Sequence, residues 1–151
     1  MSAKPHTIPT FSGTYGHALD NKNRITIPAR WRQTDADEFF IMPDPKKTFL
    51  IVMPPEEFNA VTAKVAASPN IPPPDLRIFI REFHSKAQHC VADKQGRLLL
   101  PEEHCKQIGL EKDVVILGTD KRFEIWNPKR RQESSADAEA TFGRIADEVG
   151  L

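Results

Sequence analysis

The chain has 151 residues, the size of one ordinary domain or of two half-domains sharing a core. Lys plus Arg and Asp plus Glu number 21 each, so the net charge is zero and a purely charge-driven binder of polyanions is disfavoured. No apolar run nears the ~20 residues of a membrane helix, two cysteines are too few for a disulfide scaffold, and Met1 to Pro9 lacks the apolar stretch of a secretory signal. The expectation is a cytoplasmic protein with no membrane contact.

In chain order, residues 1–10 hold two prolines and little apolar matter, which predicts a loose arm. Ser12 to Leu19 suits a strand, Asp20 to Asn23 a turn, and Arg24 to Ile27 a short strand with Ile25 and Ile27 on one face and Arg24 and Thr26 on the other. Pro28 is expected to open a helix running through Trp31. Phe39 to Met42 and Phe49 to Met53 are apolar strands around a turn cluster, and Pro55 opens an amphipathic helix with Phe58, Val61 and Val65 at helical spacing. Four prolines between Ser68 and Pro74 exclude regular structure there, and Asp75 is expected to cap a helix bearing Leu76, Phe79, Ile80 and Phe83 on one face.

The second half retraces the first. Asp93 to Gly96 is a turn, Pro101 is expected to open a helix through Ile108 that stops at Gly109, and Val114 to Leu117 and Phe123 to Trp126 are strands. Ala138, Phe142, Ile145, Ala146 and Val149 then fall on one face of a last helix that needs something to dock on.

The retracing is literal at one motif. Asp20-Asn21-Lys22-Asn23-Arg24-Ile25-Thr26-Ile27-Pro28 returns 73 residues later as Asp93-Lys94-Gln95-Gly96-Arg97-Leu98-Leu99-Leu100-Pro101. Asp, Arg and Pro are identical in both copies. The residue before the Arg is Asn23 or Gly96, the two residue types that best tolerate positive φ, so each turn is expected to need a left-handed residue there. At the same offset Leu50 to Pro55 aligns with Phe123 to Pro128, His17 with Cys90, and Arg32 with Cys105. A duplicated unit of this kind implies an internal pseudo-two-fold.

Strand, Asp-x-x-(Asn/Gly)-Arg turn, short strand, proline, strand, turn, strand resembles the swapped-hairpin units of AbrB-like transition-state regulators. The tandem form, from Phe11 to Pro128, resembles the MraZ family, bacterial transcription factors associated with the division and cell-wall gene cluster. Asn23 departs from that family's glycine, and the left-handed tolerance of Asn predicts that the turn survives. The resemblance implies an α+β fold, mainly β with short helices, in which two AbrB-like (SpoVT-AbrB) repeats form a pseudo-two-fold β-barrel. The expected divisions are a first repeat over 11–67, a proline-rich linker and helix over 68–83, a second repeat over 84–130 and a helical tail over 131–151. It also implies a sequence-specific regulator, nucleoid-associated, that reads repeated boxes in double-stranded DNA as a homo-oligomeric ring, without cofactor or small-molecule substrate.

The motif's chemistry suits that role. An Arg on a tight exposed turn offers a planar fork of donors matched to guanine O6 and N7 or to phosphate, which marks Arg24 and Arg97 as DNA-binding candidates. Lys22 and Lys94 beside them are candidates for phosphate contacts. Asp20 and Asp93 cannot face phosphate, so their expected role, with Asn23 and Gly96, is to hold the turn and orient the Arg. The competing reading is a surface ion pair worth ~0–1 kcal/mol, and identity of Asp and Arg in both copies argues against so small a cause. Basic residues gather near the motifs (Lys22, Arg24, Arg30 and Arg32; Lys86, Lys94 and Arg97) and acidic ones elsewhere (Asp35 to Glu38; Glu56 and Glu57), which would give a neutral chain one positive face.

Two other constellations carry less. His89-Cys90 and His104-Cys105 come as adjacent pairs, and neighbours on a strand point to opposite faces, so a tetrahedral metal site is not expected and the cysteines read as small hydrophobes. Glu82, His84 and Ser85 do not face one way on a helix end, and no phosphate loop, nucleophile elbow or His-Glu-x-x-His run is present, so no enzyme is expected. The alternative to a DNA reader is a ring-forming assembly protein, which zero net charge favours slightly.

Overall fold

The computed structural model describes residues 9–151. The elements are β1 (Thr14–Ala18), β2 (Arg24–Thr26), one 3-10 turn (Ala29–Trp31), β3 (Glu38–Pro43), β4 (Leu50–Met53), α1 (Pro55–Ala66), α2 (Pro73–Lys86), β5 (Gln88–Val91), β6 (Arg97–Leu99), α3 (Glu102–Gln107), β7 (Asp113–Gly118), β8 (Phe123–Trp126) and α4 (Pro128–Val149). The arm expected over residues 1–10 lies largely outside the described residues.

Each repeat lends strands to the other. A six-stranded sheet runs β1-β7-β8-β4-β3-β5, and β2 pairs with β6 in a separate ribbon. Exchanging the halves returns the same order, so the pseudo-two-fold passes between β4 and β8 and through the ribbon. β1 lies antiparallel on β7 (Tyr15↔Ile116), and β5 lies on β3 (Phe39↔Cys90). The fold is α+β with two swapped repeats, as the family resemblance implies.

Alternation along the strands sorts two apolar layers. Phe39, Ile41, Leu50, Val52, Val114, Ile116, Phe123 and Ile125 face the ribbon's Ile25, Ile27, Leu98 and Leu100, and these residues enclose one core with Phe11 and Trp31. Phe11 is buried although it follows the expected arm. Its backbone exchanges hydrogen bonds with Asp120 at 2.8 and 2.9 Å and passes directly over Gly118, where a Cβ would collide with it. On the far face of the sheet Met42 and Met53 are covered by Phe58 of α1 and Phe83 of α2.

Four expectations change. Pro28 and Pro101 stand at the cap position, one residue before their helices, rather than in the first turn. The helix after Pro28 is a single 3-10 turn, because residues 27–37 between β2 and β3 are two fewer than 100–112 between β6 and β7. The β3–β4 hairpin restores the two residues, so β3 aligns with β7 at an offset of 75 while β4 aligns with β8 at 73. Asp75 sits inside the first turn of α2 and caps nothing: the helix starts at Pro73, where the ring-fixed φ of Pro73 and Pro74 suits a first turn whose N–H groups have no intrahelical partner. Finally, the apolar face of α1 at Phe58, Val61 and Val65, whose exposure would favour oligomers, is covered within the chain, since Phe58 stacks between Phe40 and Phe83.

Candidate nucleic-acid interface

The two Asp-to-Arg turns have the same internal wiring. Asp20 Oδ1 accepts from the backbone N–H groups of Lys22 and Arg24, both at 2.9 Å, and its Oδ2 accepts from Arg24 Nε at 2.8 Å. Asp93 does the same with Gln95 (3.0 Å), Arg97 (2.8 Å) and Arg97 Nε (2.7 Å). Asn23 and Gly96 hold φ of 65° and 76°, so the left-handed backbone expected of both positions is present and the turn survives the asparagine. Donors on three sides hold both carboxyls below the ordinary aspartate range, first through the backbone N–H of Arg24 or Arg97 and then through that residue's side chain. Each aspartate thus satisfies the turn and fixes the direction of its arginine.

The ribbon brings the turns together. The Leu100 N–H donates to the Asn23 carbonyl (3.0 Å) and the Ile27 N–H to the Gly96 carbonyl (2.8 Å), one bond for each half across the pseudo-two-fold. With Ile25 opposite Leu98 and both buried, Arg24, Thr26, Arg97 and Leu99 fall on the ribbon's outer face. Arg24 Nη1 also approaches Asp93 Oδ2 at 3.9 Å, the oxygen that holds Arg97 Nε. At 3.9 Å and 2.7 Å from that one oxygen, the two nitrogens are at most 6.6 Å apart. Lys22 and Lys94 are exposed beside the turns.

The other basic residues divide. Arg32 reaches the second turn, where its Nη1 donates to the Gln95 carbonyl at 2.9 Å. Arg30 contacts Ser12 at 3.5 Å, and Lys86 pairs with Glu82 at 3.3 Å on α2. Thr26 and Leu99 were not singled out from the sequence, although strand alternation puts them on the arginine face. His17 joins them: its Nε2 accepts from the Thr26 N–H at 3.2 Å. Nothing in the sequence marks that contact, because the aligned residue is Cys90.

The His-Cys pairs do not converge. His89 pairs with Glu38 at 3.2 Å, Cys90 is half-buried on β5, and Cys105 is buried in α3. Burial pushes the Cys90 thiol up to about 11 and raises that of Cys105. Among the described residues no three His, Cys, Asp or Glu side chains are placed to share an ion, and no helix is long and apolar enough to cross a membrane.

Comparison with known proteins gives the family. The family profile described as "MraZ protein, putative antitoxin-like" matches residues 10–78 and again 83–148, one match for each repeat. The chain belongs to the MraZ family. Proteins named "Transcriptional regulator MraZ" from Desulforamulus reducens and Carboxydothermus hydrogenoformans are 36% and 37% identical to it over 139 residues, covering 92% of this chain and 96% of each relative. A third with that name, from Heliobacterium modesticaldum, is 37% identical over the same coverage. Similarity to MraZ proteins therefore spans both repeats and reaches beyond them.

Proposed function

We propose that this chain is a DNA-binding transcription regulator that reads repeated boxes through the outer face of the β2–β6 ribbon. The observation that carries the reading is the shared carboxylate: two arginines, each held by an aspartate, lie within 6.6 Å of each other on the outer, partly exposed face of one ribbon. A two-stranded ribbon fits the major groove, arginine forks match guanine O6 and N7, and Thr26 and Leu99 offer apolar contacts for thymine methyl groups. A separation of 6.6 Å or less spans about two base steps of ~3.4 Å. The arginines of one chain therefore serve one box, not half-sites a helical turn apart. Lys22 and Lys94 flank them as phosphate contacts. Zero net charge is no obstacle, because phosphates respond to charge within a Debye length of ~8–10 Å.

Relatives named as transcriptional regulators support this reading, and the family resemblance points to the promoter of the division and cell-wall cluster as the target in the nucleoid. Several boxes in a row call for several chains, so the working form is a homo-oligomer, with a closed ring satisfying every heterologous contact. The direct test is footprinting of the protein on the promoter upstream of its own gene, with affinity measured against salt. A regulator loses affinity steeply and linearly on log–log axes.

A second reading, a ring-forming assembly protein that ignores DNA, is favoured by one feature: Phe142, Ile145 and Val149 stand 62%, 42% and 73% exposed along α4. Oligomers without any salt-sensitive DNA binding would select it.

A further inference from the structure

The turns are related by the pseudo-two-fold, but what covers them is not. Positions 32 and 105 are equivalent at the 73-residue offset, and each lies against the turn of the other half. Arg32 bonds the Gln95 carbonyl and lies so closely over Gly96 that a Cβ there would stand 2.5 Å from Arg32 Cδ and 2.6 Å from Nη1. Cys105 is shorter and leaves room over the first turn. Asn23 fills it, its Nδ2 donating to the Leu100 carbonyl at 2.9 Å and reaching Cys105 Sγ at 3.5 Å. The four identities are therefore coupled in pairs, a glycine under a guanidinium and an asparagine beside a thiol. This fits the asparagine: position 105 is small enough to leave it room at 23, whereas the same residue at 96 would displace the Arg32 side chain from its place over the turn.

The two covers differ in strength and charge. A guanidinium-to-carbonyl bond is charge-assisted, whereas an amide-to-carbonyl bond is neutral and a thiol sulfur is a weak acceptor. Arg32 holds the carbonyl of the Gln95–Gly96 peptide, whose N–H donates to the Asp93 carbonyl at 2.9 Å and closes the turn, and so restrains Gln95 from its carbonyl side. The Gln95 N–H is one of the two backbone donors that hold Asp93 Oδ1, and Asp93 in turn orients Arg97 Nε. Arg32 also brings a cation to the second turn, and among the described residues no carboxylate lies within 4.0 Å of it.

We infer that Arg32 is a positioning residue for the second turn, and that its absence from the first makes the two arginines unequal, Arg97 being the stronger DNA contact. The second clause rests on the DNA reading above; the first does not. The consequence is a directional box, with one strongly and one weakly read step, from a chain whose backbone is nearly symmetric.

The test has two arms. Without DNA, proton exchange at the Nε–H groups of Arg24 and Arg97 is followed by nitrogen-15 NMR at mildly acidic pH in the parent, Arg32→Ala and Arg32→Lys. Arg97 exchange should quicken several-fold in Arg32→Ala and stay fast in Arg32→Lys, which keeps the charge but loses the fork, while Arg24, whose Nε is held by Asp20, changes much less. Equal effects at both arginines, or none, overturn the positioning role. Should Arg32→Ala not fold, the graft Asn23→Gly with Cys105→Arg replaces it: Arg24 exchange should slow, and no slowing overturns the inference. The second arm uses duplexes selected by the parent protein from a random library. Arg97→Ala should lose about tenfold more affinity than Arg24→Ala, the order of one charge-assisted bond. Arg32→Ala should weaken binding alone but add less than about twofold in the Arg97→Ala background. Equal losses overturn the inequality. A parent that selects no duplex refutes DNA reading itself, and the exchange arm still decides the role of Arg32.

Discussion

Arg24 of the first repeat and Asp93 of the second meet across the ribbon at 3.9 Å, so neither turn is electrically separate from the other. Asp93 serves two guanidiniums and Asp20 is bonded to one, which turns a nearly symmetric pair of motifs into a chain of charge: Asp20, Arg24, Asp93, Arg97. Such a chain holds two donor forks close together despite their mutual repulsion.

The first prediction concerns those forks. Arg24→Ala and Arg97→Ala should each weaken binding to selected duplex DNA by ~1–3 kcal/mol and relax specificity at one base step. Their unfolding midpoints should barely move, since partly exposed ion pairs contribute ~0–1 kcal/mol. Binding by both variants at the parent's affinity would remove the arginines from the interface.

A second prediction follows from the aspartates. Their carboxyls lie below the ordinary value in the folded chain, so the unfolded chain takes up protons first as pH falls. The turns' contribution to stability is therefore complete above the ordinary aspartate value of ~3.9 and is lost as pH falls below it through the folded values. The Nε–H resonances of Arg24 and Arg97 should stay constant from neutral pH down to that point and move together below it. Asp93→Asn at neutral pH should shift both resonances, whereas Asp20→Asn should shift that of Arg24 more. Movement near neutral pH would mean that the carboxylates do not hold the forks.

The third prediction separates two equivalent positions in the packing. Phe58 on α1 and Arg131 on α4 are related by the 73-residue offset, as are Met53 and Trp126 behind them. Phe58 is buried between rings, while the Arg131 guanidinium lies 5.8 Å over the Trp126 ring. Phe58→Ala should destabilise by ~3–5 kcal/mol through the cavity it leaves. Arg131→Ala should cost no more than ~1 kcal/mol, the size of an exposed cation–π contact. Denaturant unfolding of both variants tests the contrast.

The two turns are legible in the sequence itself. Repetition of Asp, Arg and Pro located both turns, and the Asn/Gly alternation announced their left-handed residue, because backbone geometry there is a local property of the sequence. Strand alternation separated Ile25 and Leu98 from Arg24 and Arg97 for the same reason. Helix lengths were not legible: two residues move from the β6–β7 connection to the β3–β4 hairpin, and only the closed sheet reveals the exchange. Nor could the face of α1 be judged, since its cover, Phe83, comes from a helix beyond the proline linker. The pairings of Arg32 with Gly96 and of Cys105 with Asn23 join positions far apart in the chain, and no local pattern encodes them.

The last prediction concerns assembly. One chain offers a single compact pair of arginines, and a contact of that size is weak alone, so useful affinity requires linked copies. The apolar face of α4, with Phe142, Ile145 and Val149 exposed, is the surface on which copies should meet. Once one chain of an oligomer is bound, later contacts are intramolecular, and effective concentrations near millimolar raise avidity by ~10²–10⁴. Boxes about 10 bp apart present the same groove face to successive subunits. Duplexes with one, two, three and four boxes should therefore bind with steeply rising affinity, and half-turn spacers should abolish the rise. Phe142→Glu with Ile145→Glu should give a folded chain of lower mass by light scattering whose affinity no longer depends on box number. Equal binding of the parent to a single box and to the array, or a strictly monomeric parent at micromolar concentration, would show that each chain acts alone.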